Sequence, residues 1–154
     1  MNNTLICYFS ASGNTKTVAE ELAKITKGDL FEIEPKEKYI AEDLDWTDKD
    51  SRSSKEMNEG IKPEIVKNIN NLDNYNRILL GFPVWWYKAP TIIDTFLEGN
   101  DLTNKEIYVF VTSGSSSVDG SLTYLKETYP NLNFVSGKRF STNPSEEDIT
   151  SWIN

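Results

Sequence analysis

The segment from Leu5 to Thr15 constrains this chain more than any other. Leu5, Ile6, Cys7, Tyr8 and Phe9 form an apolar run. It stops abruptly at Ser10, Ala11, Ser12, Gly13, Asn14 and Thr15. A helical pattern follows at once over residues 14–27. Val18, Leu22 and Ile25, with Ala19 and Ala23, share one face, while Lys16, Glu20, Glu21, Lys24 and Lys27 fall largely on the other. Gly28 is the predicted stop. A buried strand, a hydroxyl-rich loop and a helix N-terminus together make an anion cradle. Backbone N–H groups converge there, the helix dipole adds partial positive charge, and the hydroxyls donate further hydrogen bonds. The natural guest is a phosphate.

The rest of the chain alternates strand and helix patterns, which reads as an α/β fold. Residues 5–9, 78–82 and 107–111 are nearly continuous apolar runs. Strands of that kind are covered on both faces and belong in the middle of a parallel sheet. Residues 31–34 alternate and end at Pro35, and residues 132–135 are short; both read as edge strands. Helices are predicted over residues 63–71, 90–97, 121–128 and 145–153, with Pro63 and Pro90 suited to first turns. The polar stretch 35–60 reads as a long loop. It carries Asp43, Asp45, Asp48, Asp50, Arg52 and a lone Trp46. That tryptophan is expected to pack locally, while loops of this length are often functional. A calcium loop does not fit, because Asp48 stands where the sharp turn needs glycine and Ser54 where a bidentate glutamate is needed. The 154 residues are expected to form a single domain, 1–154.

Three unusual loops leave the carboxyl ends of the three central strands. The first is residues 10–15. The second contains Pro83, Val84, Trp85, Trp86, Tyr87, Lys88, Ala89 and Pro90. The third begins Thr112, Ser113, Gly114, Ser115 and runs on to Gly120. In open α/β sheets ligands bind in the crevice beyond those ends. Each loop has a plainer reading taken singly: an N-cap, a core aromatic pair, a flexible turn. Together they divide one ligand into parts. The first loop suits a phosphate held by N–H and O–H donors. The second is flat and aromatic, which suits a planar ring. The third lets backbone amides approach a polar ring edge. A phosphate joined to a polar planar ring of some size describes flavin mononucleotide (FMN).

Other chemistries fail on residues. The dinucleotide fingerprint needs three glycines, and the first loop has only Gly13. Residues 13–17 hold a lysine and a threonine without the spacing of an ATP-type phosphate loop. A response regulator needs acidic residues where Phe9 and Ser10 stand. A cysteine phosphatase would need arginine at Gly13. There is no histidine and only one cysteine, Cys7. Histidine bases, catalytic triads and zinc or iron–sulfur clusters are thereby excluded, and Cys7 reads as a small buried hydrophobe. No catalytic residue and no metal site is expected, so any chemistry would be carried by a cofactor. The net charge of -8 argues against nucleic acid and anionic membranes. No apolar stretch is long enough for a membrane span. The first residues lack the basic segment of a secretion signal, so a cytoplasmic location is expected.

On these residues the sequence resembles the flavodoxin family, in particular its short bacterial group. Ser10 to Thr15 resembles that family's phosphate loop. Residues 81–86 resemble its second flavin loop, and Thr112-Ser113-Gly114 its third. The resemblance implies a three-layer open sheet of five parallel strands in order 2-1-3-4-5, with FMN as cofactor. It implies phosphate contacts at Ser10, Ser12, Gly13, Asn14 and Thr15. It implies flavin-ring contacts at Pro83, Val84, Trp85, Trp86 and Tyr87. Ring-edge or ribityl contacts fall at Thr112, Ser113, Gly114 and Ser115. Two departures stand out. The third loop lacks the tyrosine that electron carriers of the family often stack on the flavin's outer face. The second has Tyr87 and Lys88 where those carriers often have the glycine used in one-electron control.

The first functional expectation is an FMN-binding electron carrier whose acidic surface meets redox partner proteins with basic surfaces. The second is a small FMN-dependent reductase of quinones or similar acceptors, with a small aromatic acceptor on the open flavin face. A third is a non-redox binding domain for FMN or another phosphorylated aromatic. A carrier needs a separate reductase; an enzyme turns over NAD(P)H unaided.

Overall fold

The computed structural model describes residues 3–11, 13–85, 88–113, 116–141 and 144–153. Five strands, β1 Thr4–Tyr8, β2 Asp29–Glu32, β3 Arg77–Pro83, β4 Glu106–Thr112 and β5 Asn133–Phe140, form one parallel sheet. Their order is β2-β1-β3-β4-β5. The helices are α1 Asn14–Thr26, α2 Arg52–Glu59, α3 Thr91–Gly99, α4 Asp119–Thr128 and α5 Glu146–Thr150, with 3₁₀ turns at Ala41–Leu44 and Leu72–Asn74.

The continuous apolar runs became the sheet's centre for the expected reason. Alternate residues of β1 point to opposite layers, and both layers are dry. Leu5, Cys7, Ile78, Leu80, Phe82, Ile107 and Val109 pack with Ile92, Ile93 and Phe96 of α3 and Leu125 of α4. Ile6, Tyr8, Leu79 and Phe110 pack with Val18, Ala19 and Leu22 of α1 and Ile149 of α5. Each fully buried Phe or Leu contributes roughly 1.5–3 kcal/mol. Burial pushes the Cys7 thiol well above its ordinary range, so it stays a neutral core group.

Two glycines make room for that packing. A Cβ on Gly81 would lie 2.0 Å from Cζ of Phe110. A Cβ on Gly28 would lie 2.7 Å from the Thr4 carbonyl oxygen. Gly28 therefore serves by close approach rather than by conformation. The left-handed residue that ends α1 is Lys27, φ 57°. On the α3/α4 side, buried Asp94 accepts hydrogen bonds from the Tyr124 and Tyr129 hydroxyls, which ties the two helices together.

Several expectations need correction. Residues 63–71 are not helical. Their amides and carbonyls pair with the chain beyond β2 instead: Lys36 N–H donates to Glu64 O at 2.9 Å and Val66 N–H to Glu34 O at 2.8 Å. The stretch 35–60 is not a plain loop, because it contains α2, capped by the Ser51 hydroxyl. Trp46 does not pack locally; it is 74% exposed. The strand at residue 132 is no short edge piece but eight residues long. A register shift opposite Ile107 and Tyr108 carries its pairing past Val135 into a polar half. The last helix stops at Thr150 rather than Ile153. The edge strand spans Asp29–Glu32 rather than 31–34.

Candidate functional site

The strand order reverses between β1 and β3: β1 connects to β2 on one side, β3 to β4 on the other. The carboxyl ends of β1, β3 and β4 flank that point. All three unusual loops leave from it, as the sequence predicts.

The first loop continues the strand for one residue, with Phe9 N–H donating to Gly81 O at 3.0 Å. It then turns tightly. Gly13 N–H donates to the Ser10 hydroxyl at 3.0 Å, and Gly13 adopts φ 96°, which an L side chain resists. Among the described residues, nothing lies within 4 Å of where a Gly13 Cβ would stand. Gly13 is the N-cap of α1, and the helix's first turn carries no acidic residue. Asn14 is the first helical residue. Thr15 is buried, and its hydroxyl shares a 2.7 Å hydrogen bond with that of Thr112 at the end of β4. Two of the three loops are thus pinned to each other. Ser12 lies outside the described residues.

The second loop leaves β3 at Pro83, with Val84 N–H donating to Thr112 O at 3.3 Å. Trp85 and Lys88 then bond each other in both directions, at 3.0 and 2.9 Å, closing a two-residue turn. The residues between them, Trp86 and Tyr87, lie outside the described residues. Trp85 is half-buried and meets Phe9 edge-on at 5.8 Å and Tyr39 at 5.5 Å. Pro90 is the N-cap of α3, so the helix starts one residue later than predicted. The third loop begins at Thr112 and Ser113, and Ser113 N–H donates to Phe140 O at 3.1 Å. Arg139 of β5 donates to the Ser113 carbonyl at 2.9 Å. Gly114 and Ser115 lie outside the described residues.

Sequence reasoning missed Tyr39 and Arg139, which reach the site from β2's far connection and from β5. Arg139 had no signal because its strand reads from the sequence as ending at residue 135, while β5 runs on to Phe140. Tyr39 had none because its contacts are all long-range. Among the described residues no group of acidic or cysteine side chains could hold a metal ion, and no helix is long and apolar enough to cross a membrane.

The donor set fits the phosphate of FMN. The first loop offers backbone N–H, hydroxyl and amide groups, without a carboxylate, at the N-terminus of α1. The open space at Gly13 lets a guest approach the backbone.

The family model for flavodoxins matches residues 3–154. Solved structures agree. A protein from Bacteroides eggerthii DSM 20697 classed as a flavoprotein is 42% identical, with TM-score 0.94 over 99% of this chain and 96% of that one. A second, from Bacteroides uniformis ATCC 8492, is 41% identical, with TM-score 0.94 over 99% and 97%. The flavoprotein of Lactobacillus acidophilus NCFM in complex with FMN is 28% identical, with TM-score 0.75 over 90% and 93%. No curated protein matches the chain. On the match of the family model to nearly its whole length, this chain belongs to the flavodoxin family.

Proposed function

We propose that the protein is an FMN-dependent electron carrier. The observation that carries the reading is the loop of residues 10–15, which ends in a left-handed glycine at the N-terminus of α1 and brings no acidic group to the first helical turn. FMN binding is also supported by the family and by the FMN complex of the Lactobacillus relative.

The roles of the chain's own residues follow from their places. Ser10, Gly13, Asn14 and Thr15 hold the phosphate, with Ser12 in the same run. The Thr15–Thr112 hydrogen bond holds the phosphate loop against the third loop, so both face the cofactor together. The Trp85–Lys88 turn presents the aromatic loop, and Ser113, held by Arg139, anchors the loop at the ring's polar edge. When bound, FMN supplies the redox chemistry, and the protein binds and orients it. A net charge of -8 disfavours added negative charge at the site and steers basic redox partners. A cytoplasmic setting accords with the lone, buried thiol of Cys7.

A second reading is favoured by one observation. The third loop carries no aromatic residue in its sequence, which leaves a flavin face open to a small aromatic acceptor. The two readings separate in one assay. As a carrier, the purified protein oxidises NADPH or NADH no faster than free FMN. It takes electrons from a basic reductase at a rate that falls steeply with salt, since exposed charges are screened over about 8–10 Å at physiological ionic strength. Steady turnover of NAD(P)H with a quinone by the protein alone, with little salt dependence, would establish the reductase instead.

A further inference from the structure

We propose that Tyr39 is a positioning residue of the flavin site, holding the aromatic loop in register with the phosphate loop; the inference rests on the flavin reading above. Phe9 is the last residue before the phosphate loop, and Trp85 lies two residues past Pro83, where the aromatic loop leaves β3. Their rings meet edge-on at 5.8 Å, with planes 88° apart. Tyr39 closes the group from a third element. Its ring lies 5.5 Å from Phe9 and 5.5 Å from Trp85, at 61° and 75°. Each ring therefore contacts both others.

The back of Tyr39 is held as firmly as the front. The Arg52 guanidinium lies over its ring, 3.9 Å from the centroid. Its hydroxyl donates to Glu56, a carboxylate only 4% exposed. Arg52 Nε donates to the other oxygen of that carboxylate at 3.0 Å, and its terminal nitrogen to the Glu37 carbonyl at 2.7 Å. A second carboxylate, Asp43, stands 4.0 Å from the Arg52 guanidinium, so Arg52 is held between two acidic groups. Burial and the bond to Glu56 push the Tyr39 hydroxyl far above its ordinary range, so it remains a donor.

This clasp gives α2 and the stretch before it a purpose that hydrophobic packing does not. The helix buries Ser53, Ser54 and Glu56 rather than an apolar stripe. Its Arg52 and Glu56 clasp one tyrosine, and that tyrosine abuts Phe9 and Trp85 at the bases of the two loops. A ring that fixes both departures fixes the separation of phosphate cradle and ring platform, which pre-organises the site.

The test compares Tyr39→Ala, Tyr39→Leu and Tyr39→Phe with wild type by two readouts. The first is amide hydrogen exchange in the apo-protein at Trp85 and Lys88, whose N–H groups close the turn. The second is FMN affinity, with the visible circular dichroism of the bound flavin. In Tyr39→Ala, exchange at both amides accelerates by about tenfold relative to Val109 in the sheet, and FMN binds about tenfold more weakly with an altered dichroic band, as loss of two aromatic pairs implies. Tyr39→Leu, which keeps the volume filled, shows the same local pattern. Tyr39→Phe, which keeps the ring, restores most of both. Wild-type exchange at Trp85 and Lys88 in the Ala and Leu variants would overturn the proposal. So would weakened FMN binding with uniformly faster exchange across the sheet, which marks general destabilisation. Wild-type protein that takes up no FMN would refute the flavin reading; the exchange ratio would still decide whether Tyr39 holds the turn.

Discussion

The Thr15–Thr112 hydrogen bond can be weighed by a double-mutant cycle. Both side chains are buried, at 1% and 5% exposure, and their hydroxyls are 2.7 Å apart. Valine in place of either keeps the branched shape and removes the oxygen. The surviving hydroxyl is then left without its partner where water scarcely reaches. That costs the bond and the desolvation of the orphan, together about 1–3 kcal/mol. Replacing both removes the orphan as well, so the double variant should lie within about 1 kcal/mol of wild type. The cycle should therefore return a coupling energy of at least about 1 kcal/mol, and about 3 kcal/mol where each single valine costs about 2 kcal/mol.

The assay is urea and thermal unfolding of the apo-protein, since Thr15 also belongs to the loop assigned to the phosphate. For a domain of this size 1 kcal/mol moves Tm by about 2–4 °C. A single valine costing ~2 kcal/mol lowers Tm by about 4–8 °C, and the second valine recovers most of it. Single effects that simply add, with coupling below about 0.5 kcal/mol, would refute the claim that these hydroxyls tie the two loops.

Other expectations follow from individual residues. Gly81→Ala places a Cβ inside the Phe110 ring and should cost about 1–3 kcal/mol, partly recovered by Phe110→Leu; a stable Gly81→Ala single variant in thermal unfolding contradicts the packing. Gly13→Ala meets open space but a φ of 96°, so the penalty is conformational, about 1–2 kcal/mol. Calorimetry should show it as FMN binding weakened about tenfold, and unchanged affinity would move the phosphate elsewhere. Burial raises the pKa of Asp94, against the pull of the Tyr129 and Tyr124 hydroxyls. A raised carboxyl contributes stability below its unfolded pKa of about 3.9 and loses it as pH rises through the folded value. Asp94→Asn should therefore gain stability relative to wild type as pH climbs from about 4, and a difference flat with pH would contradict this.

The legible parts of this chain were those where burial is two-sided. β1, β3 and β4 carry uninterrupted apolar runs, and α1 carries an apolar stripe, so pattern alone located them. The illegible parts are held by polar contacts. α2 has no apolar stripe and is organised by the Ser51 cap and the Arg52–Glu56–Tyr39 clasp, which no periodicity reveals. Residues 63–71, predicted as a helix, are extended instead: residues 64–66 pair by backbone with residues 34–36, and Ile69 N–H donates to the Asn100 side chain. The second half of β5 is polar because it is an edge, and its pairing passes through a register shift that breaks alternation. At the site, the strand–loop–helix arrangement of residues 4–26 was readable because its pattern is local. Tyr39 was not, because its partners come from distant parts of the chain.

The central claim is that the loop of residues 10–15 holds the phosphate of FMN. Isothermal titration of the apo-protein with FMN and with riboflavin tests it most directly, because the two differ only by that phosphate. FMN should bind about 1:1 and riboflavin much more weakly, by at least about 100-fold if the phosphate takes two hydrogen bonds of the charged kind. Riboflavin binding as tightly as FMN would contradict the account.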